Sequence, residues 1–527
     1  MIQLAQILFI LSVLVILHEF GHFITARIFK VRVEKFYLFM DAGFALIKKK
    51  IGETEWGIGW LPLGGYVKLS GMIDESMDTA QMNEEPQPWE FRAKPAWQRL
   101  IIMLGGIIVN LLLAWFIYTT MYVSVGQKYV STETIQKNGL AFGEVGLNAG
   151  FKNGDKIVSV DGKLQPKFNR VVIDVLLSDE VIINRNGKTV KLHLTNEQLK
   201  RILGTEGKGF IKPRTILNQV YVDSLYKSNK IALMVNDTLL GINTTKLEFA
   251  DQLNDSLIKN KNKQVSLLVA RKGKEIQIPF KVTEKFSHAI DSLAQLRTLE
   301  KFENLYIKDI QNETNENVLK DDDKVVGITG RNIQYYHEFK NYLLANKGKK
   351  VSLDIIRENK PMTVMASVNK KGKLGIQFNE KKMTDEFLVV NKLSFSQSVS
   401  AAIKESYTQF LYNIKQFKLI LQPKTGAYKQ VKSPVGIARQ LPDSWDWEYI
   451  WNFTAMFSIG LAFMNLLPIP GLDGGHALFT IAEMVTGRKL SDKTMGYVQT
   501  GGMIILLTLM ALTFGKDIYQ LVVDKLF

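Results

Sequence analysis

Hydrophobic and polar positions are sharply segregated along this chain. Residues 1–17, 100–126, 449–472 and 494–515 contain no Asp, Glu, Lys or Arg. The last three runs each exceed the ~20 apolar residues that a helix needs to cross a bilayer, and the first becomes long enough once His18 to Phe29 is added. The pattern therefore predicts four membrane spans, at roughly 3–27, 100–125, 449–470 and 497–516. No Lys or Arg precedes Arg27 and no small-residue cleavage motif follows, so the first run is expected to stay in the chain as a span rather than leave as a signal peptide.

Between the second and third spans the pattern changes to short β-rich runs separated by turn signals, and these repeat. GFKNGDKIVSVD from Gly150, ALMVNDTLLGIN from Ala232 and VLKDDDKVVGIT from Val318 align, with Phe151/Asp155, Leu233/Asp237 and Leu319/Asp323 at equal spacing. Each is followed by a further match: VIINRNGKTVKL from Val181, VSLLVARKGKEIQI from Val265 and VSLDIIRENKPMTV from Val351. Strands, a short helical stretch (Phe249 to Leu257; His337 to Leu344) and a hairpin are expected in the repeats. Farther on, Phe395, Val399, Ile403, Tyr407, Phe410, Ile414, Phe417 and Leu421 recur every three or four residues, predicting an amphipathic helix that packs on the modules or lies on the membrane. Residues 56–69 (WGIGWLPLGGYVKL) are apolar but too broken by Gly and Pro to span, and read as a membrane-dipping hairpin with an exposed strand edge.

The expected organisation is a polytopic α-helical membrane protein with four transmembrane helices and β-rich modules between helices 2 and 3. Residues 1–126 hold the first two spans with the hairpin loop at about 33–75. Modules cover 127–213, 214–300 and 301–385, the amphipathic linker 386–447, and the last two spans 448–527. The formal charge of +16, from 67 Lys+Arg against 51 Asp+Glu, is then explained by basic loops beside the spans. Arg27, Lys30, Arg32 and Lys35 follow the first span, Arg92, Lys94 and Arg99 precede the second, and Arg488, Lys489 and Lys493 lie between the third and fourth; Asp443, Asp446 and Glu448 mark the opposite side. The basic-side rule puts these loops in the cytoplasm and both termini and the modules outside it, a multi-pass arrangement in an inner membrane. No nucleic-acid-binding signature is present. The absence of Cys excludes disulfides, cysteine zinc fingers and a catalytic thiol, so any metal site must use His, Asp and Glu.

His18-Glu19-Phe20-Gly21-His22 supplies such a site. Residues i and i+4 share a helix face, so both imidazoles reach one cation while Glu19 stands beside it. Ionisable residues within an apolar span are costly enough to point to function. A third ligand is expected from NLLPIPGLDGGH, residues 465–476, where Asp473 and His476 both qualify by spacing. Asn110 and Asn465 are polar at apparent membrane depth, and either can contact substrate backbone, stabilise an oxyanion or bridge helices.

HEFGH in a first span, PLGGYVKLSG after it, and NLLPIPGLDGG closing the third span together resemble the site-2 protease family, in its bacterial RseP-type branch of intramembrane zinc metalloproteases. AGFKNGDKIVSVDGK looks like a PDZ domain of bacterial envelope proteases, and the other two copies resemble it more weakly. The resemblance covers nearly the whole chain. It implies one Zn2+ held by His18, His22 and Asp473, with Glu19 as catalytic base, and it favours Asp473 over His476. It also implies substrates that are single-span membrane proteins, such as anti-sigma factors or remnant signal peptides, cut within the lipid bilayer during regulated intramembrane proteolysis. Gly64, Gly65 and Tyr66 of the hairpin, with Asn110 and Asn465, are the expected substrate contacts. The PDZ-like modules either take peptide ligands by strand addition or act as spacers. Two positions depart from the family pattern: Ile107 stands where span two usually has Pro in Gly-Pro-x-x-Asn, and three module copies replace one or two. The competing reading is a membrane-anchored PDZ scaffold with a non-catalytic metal site; a metal-handling protein would need a chain of intramembrane acids that the spans lack.

Overall fold

The computed structural model describes residues 2–526 except 63, 73–84, 206–208, 226–230, 284–293, 299–304, 311–312, 329, 332, 334, 379–386, 443 and 489–491. The end of the expected hairpin segment (73–75), Thr329, Asp443 and Lys489 lie outside the described residues. The chain divides into two compact units: residues 1–129 with 195–206 and 389–527, and residues 130–194 with 207–388.

The first unit is a helical bundle with one small sheet. Its main helices are α1 (Ile2–Ile28), α2 (Ala96–Val125), α3 (Phe395–Ile420), α4 (Trp447–Leu466), α5 (Asp473–Thr486) and α6 (Asp492–Leu526). By length and composition α1, α2 and Thr494–Tyr519 of α6 are apolar enough to cross a membrane. The third expected span is shorter than the sequence pattern implied. Helix α4 stops at Leu466 because Pro468 and Pro470 supply no amide hydrogens, and Glu448, Trp451 and Asn452 dilute its apolarity. Helix α2 is central: Ala114, Ile117, Tyr118 and Tyr122 pack with Ala402 of α3 and Ala455 and Ile459 of α4. Helices α1 and α2 meet backbone to backbone at Gly21 and Gly105, where a Cβ on Gly21 would collide with the Gly105 carbonyl, the small-residue contact that lipid-embedded helices favour. Outward, Ile16, Phe20, Ile24, Ile108, Leu112, Phe116, Ile505 and Leu509 are exposed, as expected of a surface solvated by lipid.

Strands β1 (Val33–Leu38), β2 (Met40–Ile51), β3 (Thr54–Leu61) and β4 (Tyr66–Leu69) form a sheet in the order β2-β3-β1-β4. Residues 56–69, expected to fold as a hairpin, instead supply β3 and β4, which do not pair with each other because β1 lies between them. The antiparallel hairpin is formed by β2 with β3, β1 lies parallel to β3, and β4 pairs antiparallel with β1 in the register Phe36 to Val67. β4 is an edge. Residues 195–206, expected within the first module, instead belong to the bundle, where the Gln430 side chain donates to the Leu203 carbonyl (2.9 Å).

The second unit repeats one construction three times. Hairpins Val181–Arg185/Lys188–Leu192, Gln264–Arg271/Lys274–Lys281 and Lys350–Arg357/Lys360–Ser367 turn through Asn186-Gly187, Lys272-Gly273 and Glu358-Asn359. Both central residues of each turn have positive φ, between 50° and 82°, the twist-matched two-residue turn. Helices Phe168–Leu177, Ala250–Lys259 and Tyr336–Ala345 cover the sheets. In each copy a buried aspartate is gripped by an arginine at the hairpin: Arg185 on Asp155 (2.8 and 2.7 Å), Arg271 on Asp237 (2.7 and 2.6 Å) and Arg357 on Asp323 (2.7 and 2.7 Å). The second oxygen of each also accepts from a backbone N–H three residues upstream, on Lys152, Met234 and Lys320. The second and third copies touch each other: His337 stacks on Tyr221 at 4.5 Å, and Lys340 bonds Asp223 at 3.1 Å.

Candidate metal centre

The helical periodicity of α1 places His18 and His22 one above the other, both 7% exposed. Their rings are held from α2. His22 Nδ1 lies 2.9 Å from the Ile102 carbonyl, and His18 Nδ1 lies 3.0 Å from the Asn110 amide nitrogen. Room for both rings depends on Gly106, since a Cβ there would meet His18 Cε1 and His22 Nε2 at 2.5 Å. The chain returns 451 positions after His22. Following α4, the Leu467–Leu472 loop folds back and Asp473 opens α5, with Gly474 and Gly475 tucked against the loop's own carbonyls.

His18, His22 and Asp473 come together as a group of donors able to hold a metal ion. Each Nε2 lies 3.3 Å from Asp473 Oδ2, and the two Nε2 atoms are 3.4 Å apart. A tetrahedral zinc with bonds of about 2.0–2.1 Å sets its ligand atoms about 3.3–3.4 Å apart, so all three edges fit that ion. Asp473 Oδ2 is buried and has no hydrogen-bond partner among the described residues. An orphaned carboxylate oxygen facing two imidazole nitrogens is a donor set that a cation would fit.

The other singled-out residues fall into place around it. Glu19 faces the Val67 backbone of β4, and Gly65 brings the sheet so close that a Cβ would stand 3.3 Å from Glu19 Cγ. Tyr66 stacks on Tyr37 (5.3 Å) and its hydroxyl donates to Asp41 (3.1 Å). Gly64 faces open space apart from the Met40 methyl at 3.8 Å. Asn465 reaches the cluster from the end of α4, its amide nitrogen 3.0 Å from His18 Nε2. His476 stands outside the donor group and is engaged by Gln499 of α6. Neither the Ile102 carbonyl, a backbone group with no side-chain signature, nor the clearance that Gly106 gives both rings is marked in the sequence.

The chain matches the profile of Peptidase family M50 over residues 6–509. The protein belongs to this family, that of the site-2 proteases. Its relatives include a Vibrio cholerae protein named "Putative zinc metalloprotease", 26% identical over 540 residues and covering 97% of each chain. Regulator of sigma-E protease RseP of Escherichia coli is 24% identical over 530 residues, 98% of this chain and 99% of its own. Metalloprotease MmpA of Caulobacter vibrioides is 31% identical over 218 residues, 38% of this chain and 54% of its own. Family membership makes this M50 chain a membrane zinc metalloendopeptidase.

Proposed function

We propose that His18, His22 and Asp473 hold one Zn2+ and that Glu19 is the catalytic base of an intramembrane protease acting on transmembrane segments of single-span proteins. The observation that carries this reading is the set of three tetrahedral edges, 3.3, 3.3 and 3.4 Å, in an M50 chain. When bound, zinc supplies a Lewis acid that acidifies water and polarises the scissile carbonyl. Glu19, beside His18 and abutting β4, takes the proton of the attacking water and returns it to the departing amine. A peptide bond inside a transmembrane helix is screened by its own hydrogen bonding, so the substrate must unwind, and lipid offers the freed groups no partners. The β4 edge, Tyr66–Leu69, runs past Glu19 and offers main-chain donors and acceptors to an extended substrate. Gly64 and Gly65 keep that approach open, and Asn465 contributes an amide at the reacting end.

In this reading α4 is the third of four crossings, and the Arg and Lys clusters near α1, α2 and α5 face the cytoplasm, leaving both termini and the modules outside. The three repeats serve as PDZ-like units that admit or exclude substrates already trimmed on that side. Anti-sigma-factor-like proteins and remnant signal peptides have the required form.

The test is Glu19→Gln. It removes the base and none of the proposed ligands, so purified variant should retain zinc at the wild-type ratio while cleavage of a model transmembrane substrate falls ~100- to 10,000-fold. Undiminished cleavage would overturn the assignment.

A further inference from the structure

A neutral imidazole has one N–H and one lone pair, so its two nitrogens cannot both accept. Around His18 both nitrogens face an amide nitrogen, Asn110 Nδ2 at 3.0 Å from Nδ1 and Asn465 Nδ2 at 3.0 Å from Nε2. One carboxamide must present its oxygen instead. The two ends of a carboxamide are nearly isosteric, and a half-turn about χ2 exchanges them without repacking.

His22 shows which one turns. The Ile102 carbonyl can only accept, so His22 donates from Nδ1 and presents a lone pair at Nε2. His18 Nε2 points at the same place, 3.4 Å from His22 Nε2 and 3.3 Å from Asp473 Oδ2. For both rings to give a cation their Nε2 lone pairs, His18 must carry its hydrogen on Nδ1, where Asn110 sits. Asn110 is fully buried, and its Oδ1 has no hydrogen-bond partner among the described residues. The count of hydrogen bonds made by Asn110 is the same either way round. The difference lies in what His18 is left able to bind.

We propose that Asn110 is a positioning residue whose Oδ1 accepts from His18 Nδ1–H, fixing the tautomer that turns Nε2 to the metal, as the Ile102 carbonyl does for His22. This rests on the zinc site proposed above and replaces the expected substrate contact at Asn110. Outer-shell acceptors of this kind set ligand orientation and basicity.

The experiment measures zinc affinity of the purified full chain by chelator competition, beside the melting temperature of the metal-free form. Asn110→Leu, which has no acceptor, should bind zinc about 10- to 100-fold more weakly with the metal-free melting temperature unchanged or raised. Asn110→Asp, which keeps an acceptor, should stay within about threefold of wild type. Equal zinc affinity in Asn110→Leu and wild type overturns the proposal, as does loss in Asn110→Asp matching that in Asn110→Leu. A lowered metal-free melting temperature in Asn110→Leu with zinc affinity retained reveals a purely structural role and also overturns it. His22→Ala separates the two levels: if it keeps zinc, the site itself is misassigned, and if it alone loses zinc, only the role of Asn110 is wrong.

Discussion

The repeated modules and the His18–His22–Asp473 cluster both withdraw carboxylate oxygens from water, and they treat them in opposite ways. Asp155, Asp237 and Asp323 are at most 1% exposed, and each is saturated by a two-pronged arginine and a backbone N–H. Asp473 faces two imidazole nitrogens at 3.3 Å, with Oδ2 lacking any hydrogen-bond partner among the described residues. Burying a charge is tolerable only when it is paired or coordinated. The modules spend their acids on rigidity; the bundle keeps one unsatisfied, which leaves it available to a cation.

That contrast can be broken first at Asp473. Asp473→Ala should lower zinc affinity by at least ~1,000-fold, well beyond the cost of disturbing an outer-shell partner, with chelator competition as the measure. His476→Ala should leave zinc affinity near wild type, and the reverse pattern would move the third ligand. In the modules, Asp237→Ala strands Arg271 and should destabilise that unit by about 3–5 kcal/mol in denaturant unfolding while zinc content stays unchanged. If zinc is lost as well, the two classes of carboxylate are not independent. Gly106→Ala drives a methyl against both imidazoles, and overpacking of about 1–3 kcal/mol should appear as roughly 5- to 150-fold weaker zinc binding.

The smallest effect concerns pH. His337, stacked on Tyr221, has its pKa lowered by burial, so the folded protein disfavours the imidazolium and the unfolded chain binds the proton more readily. Stability of the paired second and third modules is thus full above the unfolded value near 6.5 and declines as pH falls below it. The melting temperature of this transition should drop modestly between pH 7.5 and 5.5, and His337→Gln should flatten the dependence.

The parts of this molecule legible in the sequence are those set by local spacing. HEFGH puts two imidazoles on one helix face wherever a helix forms, Asn186-Gly187 dictates its turn, and the periodic residues from Phe395 trace α3 almost to the residue. Groups assembled over long distances left no such mark. Asp155, Asp237 and Asp323 stood out in the repeat, but their arginines lie 30 or 34 residues on, across a sheet register that no local pattern encodes. The parallel pairing of β1 with β3 was hidden for the same reason. The Ile102 carbonyl was invisible because a backbone group carries no residue identity.

The Leu467–Leu472 turn that delivers Asp473 also sets a schedule. With synthesis at about 5–20 residues per second, the imidazole pair exists for roughly 20 to 90 s before its acidic partner leaves the ribosome. On the proposed ligand set, a nascent chain therefore lacks its third zinc ligand until Asp473 has emerged. The order of translation would then delay full metal affinity until the last helices are made.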